Sequence, residues 1–356
     1  MKQIRSWAPS VLVALLLAAC GGGDGDQSPN VRYTAMVSFG DSLSDVGTYA
    51  TPVLVAATGG GKYTINSASA KNWTELIAAQ IGVAAPCAAQ TGLESVAPLA
   101  AFAAPITNHA GCLNYAQGGA RVTAPIGPAN KAGVALGDAS GVLGQLTDPI
   151  VNQIGRHLAT TATGTFSGTE LVTVFGGGND IFSNLGALTA GAETPTQAVQ
   201  AMGLAGAQLA GYTKALILAK GAKHVVVVNL PDVSQTPFAL AQSAQTQGLI
   251  NLMVTTFNGQ LSSGLAGASD VLVVDAYSQG RAQTANPAQY EVTNVTTPAC
   301  DKTKTAFDSS LVCNTSTLIA GDVSHYLYAD TVHLTPWGYR LLAQYVTQNM
   351  LQAGWL

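Results

Sequence analysis

Charge is scarce in this chain. Only 10% of its 356 residues are Asp, Glu, Lys or Arg, and aromatic residues make up 6%. No Lys/Arg-rich run occurs, so the electrostatic footprint that a nucleic-acid backbone requires is missing, and the net charge of −4 points the same way. Cysteine is sparse at five residues, with no C-x-x-C pair and no His/Cys spacing suited to zinc, so no metal site is expected. The G-x-S-x-G nucleophile elbow of ordinary α/β-hydrolases is absent as well. What remains is a chain that is 47% hydrophobic with 39 glycines, able to bury a sizeable core and too apolar for disorder.

The first twenty residues read as a leader rather than as part of the fold. Lys2 and Arg5 form a short positive region before "VLVALLLAAC", an apolar stretch too short to settle across a bilayer. It closes on Leu17-Ala18-Ala19-Cys20, which resembles the lipobox of bacterial lipoproteins, where the cysteine is acylated and becomes the new N-terminus. The competing reading is an ordinary secretory signal cut after a small residue. "GGGDGDQSPN" then reads as a flexible tether, so the expected organisation is a leader at 1–20, a tether at 21–31 and one domain at 32–356. A lipid anchor at Cys20 implies an exported protein, periplasmic, secreted or held on a Gram-negative outer membrane. Setting Cys20 aside leaves Cys87, Cys112, Cys300 and Cys313, an even set suited to an oxidising compartment. Of three possible pairings, Cys87–Cys112 and Cys300–Cys313 each close a short loop and are favoured.

The hydrophobic pattern alternates strands with helices. "YTAMVSFGD", "ELVTVFGGGND", "HVVVVNLPD" and "DVLVVDAY" are continuous apolar runs stopped by turn residues, the pattern of parallel strands buried on both faces. Helices are expected over "SAKNWTELIAAQIG" with Ser69 as N-cap, over "GVLGQLTDPIVNQIGRHLA", over the stretch from Thr194 to Gly221, over "GLINLMVTTFNGQLSSGLAG", and at the C-terminus after "DTVHLTPW". Residues 83–140 read as long loops lying over one face. Such an order predicts one α/β domain with a parallel sheet covered on both sides, its site at the carboxyl ends of the strands.

Four of those ends carry polar groups able to converge: Ser42 after the first strand, "NYAQGGA" (114–120), "GGGND" (176–180) and "DTVH" (330–333). Acyl transfer needs a hydroxyl, a neutral imidazole to take its proton, a carboxylate to fix the tautomer and donors for the oxyanion. Asp330 and His333 lie three apart, so one turn brings both near one point, with Nε2 left for Ser42. A loop glycine, Asn179 and the Ser42 N–H would supply the donors. Each segment alone has a plainer reading: a turn serine, a capping aspartate beside a surface histidine, a tight strand-to-helix turn with Asp180 as N-cap. Ser44 and Asp45 are expected to cap a helix after Ser42; His109, His157, His224 and His325 have plainer structural readings, lining the cleft being the minority one for His325.

Taken together, "FGDSLSDVG", "NYAQGGA", "GGGND" and "DTVHLTPWGYRLLA" resemble the four ordered sequence blocks of the GDSL (SGNH) hydrolases, from about Val37 to Ala343. The similarity is greatest to the bacterial secreted lipase, phospholipase and acyltransferase branch. The resemblance implies Ser42 as nucleophile, His333 as base, Asp330 as its orienter, and an oxyanion hole of Ser42, Asn179 and Gly119, with Gly118 the alternative glycine. It also implies a flavodoxin-like three-layer α/β/α sandwich around a five-stranded parallel sheet, with no cofactor. The expected activity is hydrolysis of short- to medium-chain, aryl or lipid esters through an acyl-enzyme. Acyl transfer or phospholipase action by the same triad is the alternative, and a non-catalytic surface-binding lipoprotein on a hydrolase scaffold is the third reading.

Overall fold

A computed structural model describes residues 31–356; the leader, Cys20 and most of the tether lie outside it. Six strands form among the described residues: β1 (Ala35–Gly40), β2 (Gln90–Leu93), β3 (Ala104–Asn108), β4 (Glu170–Phe175), β5 (His224–Val228) and β6 (Val271–Val274). The α-helices are α1 (Pro52–Thr58), α2 (Trp73–Gln80), α3 (Ile150–Thr160), α4 (Gly178–Thr189), α5 (Pro195–Tyr212), α6 (Pro237–Leu240), α7 (Ala244–Leu265), α8 (Ala276–Ala285) and α9 (Pro336–Gln352).

The main sheet is parallel in the order β1-β4-β5-β6, with Val37, Val172, Val225 and Val271 in one row of its register. Because successive side chains point to opposite faces, the Val-rich runs feed two cores. Val37, Phe39, Val172, Val174, Val225 and Val227 pack with α3, α5 and α7. Met36, Leu171, Phe175, Val226, Val228 and Val274 pack with α2 and α9 through Trp73, Ile77, Leu342 and Val346. The result is a three-layer α/β/α sandwich. On the first face α5 and α7 approach closely: a Cβ on Gly206 would strike the Phe257 carbonyl.

The sheet has four full strands rather than five. In the fifth place, beside β1, residues 113–115 make a single parallel bridge at Asn114. Ser38 N–H donates to the Leu113 carbonyl at 3.0 Å, and Tyr115 N–H donates to the Ser38 carbonyl at 2.8 Å. Past it only Gln117 N–H reaches β1, donating to the Gly40 carbonyl at 3.2 Å, as the Asn114 side chain turns to the Ser44 carbonyl and the chain bends into the glycine loop.

Helix starts also differ from expectation. Asn72, not Ser69, caps α2, because Asn72 and Glu75 form a reciprocal capping box. The expected helix from Gly141 begins only at Ile150: Gly144 and Thr147 take left-handed backbone (φ 69° and 52°), and Pro149 disfavours helix at the residue before it. Residues 83–140 hold an antiparallel β2–β3 hairpin as well as loops. Disulfides Cys87–Cys112 and Cys300–Cys313 form as expected. No helix among the described residues is long and apolar enough to cross a membrane.

Candidate active site

Ser42 sits one turn past β1, and the end of that strand is held from two sides. Gly40 N–H donates to Gln153 Oε1 and Gln153 Nε2 donates back to the Gly40 carbonyl, both at 2.8 Å, so a fully buried side-chain amide from α3 mimics a neighbouring strand. Asp41 N–H donates to the Phe175 carbonyl of β4 at 3.3 Å, and Asp41 Oδ1 accepts Leu43 N–H at 3.0 Å. No helix follows Ser42. Ser44 Oγ instead accepts the Trp73 indole N–H, and Asp45 accepts the N–H groups of Gly47, Thr48 and Gly118. Asp45 thus ties the serine turn to the glycine loop rather than capping a helix.

His333 reaches this turn from the loop before α9. Its Nε2 lies 2.8 Å from Ser42 Oγ, and its Nδ1 lies 2.7 Å from Asp330 Oδ2. Asp330 is 7% exposed and fully occupied: Oδ1 accepts the N–H groups of Val332 and His333, and Oδ2 accepts Ser310 N–H at 2.8 Å. Burial alone would raise the Asp330 carboxyl, but the His333 charge and the hydrogen bonds from His333 and Ser310 outweigh it. They hold it well below the usual carboxylate range. The Tyr63 ring lies 4.7 Å from the imidazole at 32°, and its buried hydroxyl has no partner among the described residues.

The two glycines part company. Gly118 N–H is used by Asp45 Oδ2 at 3.0 Å. Gly119 faces the cavity with Ser42 and Asn179, and its N–H meets no acceptor among the described residues. Gly119 is required there on two counts. Its φ is +79°, and a Cβ would lie 2.6 Å from both the Pro128 carbonyl oxygen and a Thr147 methyl. Asn179 stands in the first turn of α4, where the helix dipole favours negative charge. One of its amide hydrogens goes to the Ala120 carbonyl at 2.8 Å, leaving the other for the cavity. Asp180 does not cap α4, a place taken by Gly177. It accepts Arg121 Nε and Val122 N–H, both at 3.0 Å, and so fastens the glycine loop to the helix carrying Asn179.

Asp41 adds a second carboxyl behind the serine. It is 3% exposed, and burial pushes it up to about 7 against the lowering pull of Leu43 N–H and His333. The groups converge on a cavity of about 740 Å³ over the carboxyl ends of the strands. His325 is not part of it: the ring stacks on Trp337 and bonds the Glu291 carbonyl. His157 is buried among Phe39, Tyr115 and Phe166. Gln153, Tyr63 and Ser310 escaped the sequence reading. Each acts through tertiary contact, and none lies in a local pattern that marks it.

The sequence model of the GDSL-like lipase/acylhydrolase family matches residues 36–346. No curated protein matches the chain in sequence. Among solved structures it is similar to a lipolytic G-D-S-L family protein from Veillonella parvula, at 16% identity and a TM-score of 0.39, covering 88% of this chain and 97% of that one. The lipase Lip_vut3 from a goat rumen metagenome is 14% identical with a TM-score of 0.39, over 89% and 97% of the two chains. A catalytic variant of Axe2, an acetylxylan esterase from Geobacillus stearothermophilus, is 12% identical with a TM-score of 0.37, over 90% and 96%.

Proposed function

The chain belongs to the GDSL-like lipase/acylhydrolase family, and from that premise we propose that it is a serine carboxylic-ester hydrolase with Ser42, His333 and Asp330 as its triad. The observation that carries this reading is the unbroken relay of 2.8 Å from Ser42 Oγ to His333 Nε2 and 2.7 Å from His333 Nδ1 to Asp330 Oδ2. An ionised Asp330 accepts a hydrogen bond from Nδ1–H, which keeps the ring proton on Nδ1, so Nε2 is unprotonated and accepts from the serine hydroxyl.

In the first half-reaction Ser42 Oγ bonds to the ester carbon while its proton passes to His333 Nε2. The carbonyl oxygen, now negative, takes hydrogen bonds from the N–H groups of Ser42 and Gly119 and from Asn179 Nδ2. His333 then gives the proton to the departing alkoxide as the C–O bond breaks, leaving an acyl-serine. Water attacks that acyl group, loses its proton to His333, and Ser42 regains it as the acid leaves. Glycine at 119 keeps the donor loop close, and the ties from Asp45 and Asp180 fix it before charge develops.

The two disulfides fit an extracellular or periplasmic setting, which accords with reading residues 1–20 as an export leader, Cys20 as its lipid attachment point and 32–356 as one hydrolase domain. The test is Ser42→Ala, which removes hydrolysis of p-nitrophenyl butyrate and leaves the melting temperature within a few degrees. Retained turnover in that variant would sink the assignment.

A further inference from the structure

The cavity around Ser42 is lined by two groups of side chains in which apolar residues predominate, with Ser140, Gln145, Thr236, Gln279 and Gln283 among them. From residues 99–143, Leu99, Pro128, Ala129, Val142 and Leu143 face it, joined by Phe307 from the loop that the second disulfide closes. Over the ends of β5 and β6 the wall is Leu230, Pro231, Val233 and Ala276, with Phe182 and Phe238 in edge-to-face contact at 5.1 Å. Ser42, His333, Gly119 and Asn179 line the same cavity.

The charge on the walls is equally informative. Among the described residues no Lys or Arg lines the cavity; the ionisable residues that do are Asp41, Asp308, Tyr63, Tyr328 and His333. A phosphate brought here would meet carboxylates and no cation, and a buried anion without a partner is costly. A sugar ring would have to leave several hydroxyls against aliphatic and aromatic side chains, each unmade hydrogen bond lowering affinity. Alkyl or aryl groups on either side of a carboxyl ester meet neither penalty, and they gain from burial in proportion to their area.

Resting on the hydrolase reading above, we propose that the substrate is an uncharged ester with an apolar group on both the acyl and the alcohol side, one against each group of lining side chains. Anionic-headgroup phospholipids, zwitterionic phosphatidylcholine and acetylated sugars are excluded by the same walls. With several apolar side chains in each group, transition-state binding grows with chain length on both sides of the ester.

The experiment uses two series of esters in detergent-free buffer: p-nitrophenyl esters from acetyl to decanoyl, and butyrates of alkanols from ethyl to octyl. The kcat/KM is expected to rise about threefold per methylene over the first several carbons of each series. Phosphatidylcholine vesicles and a mono-O-acetylated methyl xyloside, which keeps free hydroxyls, are expected to be turned over at least a hundredfold more slowly than the best neutral ester. Phe238→Arg and Leu99→Arg, at partly exposed positions, should each flatten one series and spare the other. A flat or falling profile in either series, or phosphatidylcholine or the mono-O-acetylated methyl xyloside matching the neutral esters, overturns the proposal while leaving the hydrolase reading intact. Failure to cleave any ester, p-nitrophenyl acetate included, overturns both.

Discussion

Asp330→Asn isolates the part of the site that geometry specifies most tightly. The carboxylate accepts two N–H bonds on Oδ1, from Val332 at 2.9 Å and His333 at 2.7 Å. On Oδ2 it accepts Ser310 N–H at 2.8 Å and faces His333 Nδ1 at 2.7 Å. An asparagine has one oxygen to offer. Placed at Oδ1 it satisfies two backbone donors and points its NH2 at Ser310 N–H and His333 Nδ1. Nδ1 then lies 2.7 Å from that NH2 and 2.9 Å from the remaining oxygen; where it accepts from the NH2, the ring proton sits on Nε2 and the imidazole faces Ser42 as a donor unable to take its proton. The other rotamer sets an NH2 against two N–H groups and is worse.

Loss of the correct tautomer in a triad of this type costs about 10⁴-fold in kcat, or ~5 kcal/mol of transition-state stabilisation. Stability should fall less, by about 1–3 kcal/mol for the stranded Ser310 N–H. The assay is kcat on p-nitrophenyl butyrate at pH 7, beside urea unfolding of both proteins. An Asp330→Asn enzyme folded and within tenfold of wild type would refute the role assigned to this carboxylate.

Two further outcomes follow from the support beneath Ser42. Gln153→Ala leaves Gly40 N–H without a partner in a fully buried setting, its carbonyl keeping only Gln117 N–H at 3.2 Å, and opens a cavity, so unfolding free energy should drop by roughly 2–4 kcal/mol, with kcat falling because Ser42 is two residues away; an unchanged urea midpoint would contradict the clamp. Asp41 titrates near 7 when folded against an ordinary 3.8, so the folded state holds the extra proton between those values and stability declines as pH rises through that window. Urea titrations from pH 4.5 to 7.5 should show wild type losing about 1 kcal/mol per pH unit relative to Asp41→Asn, and parallel curves would contradict it.

The parts of this molecule that were legible in its sequence are those where one residue type answers to one local demand. "ELVTVF" and "HVVVV" read as central strands because both faces of a covered sheet must be apolar. The short loops between Cys87 and Cys112 and between Cys300 and Cys313 suggested the disulfides that form. Ser42, Asp330, His333, Gly119 and Asn179 stand out together because acyl transfer needs a fixed set of parts; the fold brings Ser42, His333, Gly119 and Asn179 to one cavity, with Asp330 bonded to His333 Nδ1.

What stayed hidden depends on contacts across the chain. Nothing around Gln153 signals that its amide closes on Gly40, 113 residues away. The edge of the sheet was misjudged in the same way, since the bridge at Asn114 is set by the Ser44 carbonyl and the Cys87 segment rather than by the residues flanking it. Asp180 looks like an N-cap by position, yet Arg121 and Val122 claim it.

The central claim, that Ser42 is an activated nucleophile, is tested most directly by reacting the intact protein with a fluorophosphonate and mapping the adduct by mass spectrometry. A single phosphonyl group on Ser42, blocked in Ser42→Ala and slowed in Asp330→Asn, is the predicted result. No adduct, or one on a different serine, would contradict it.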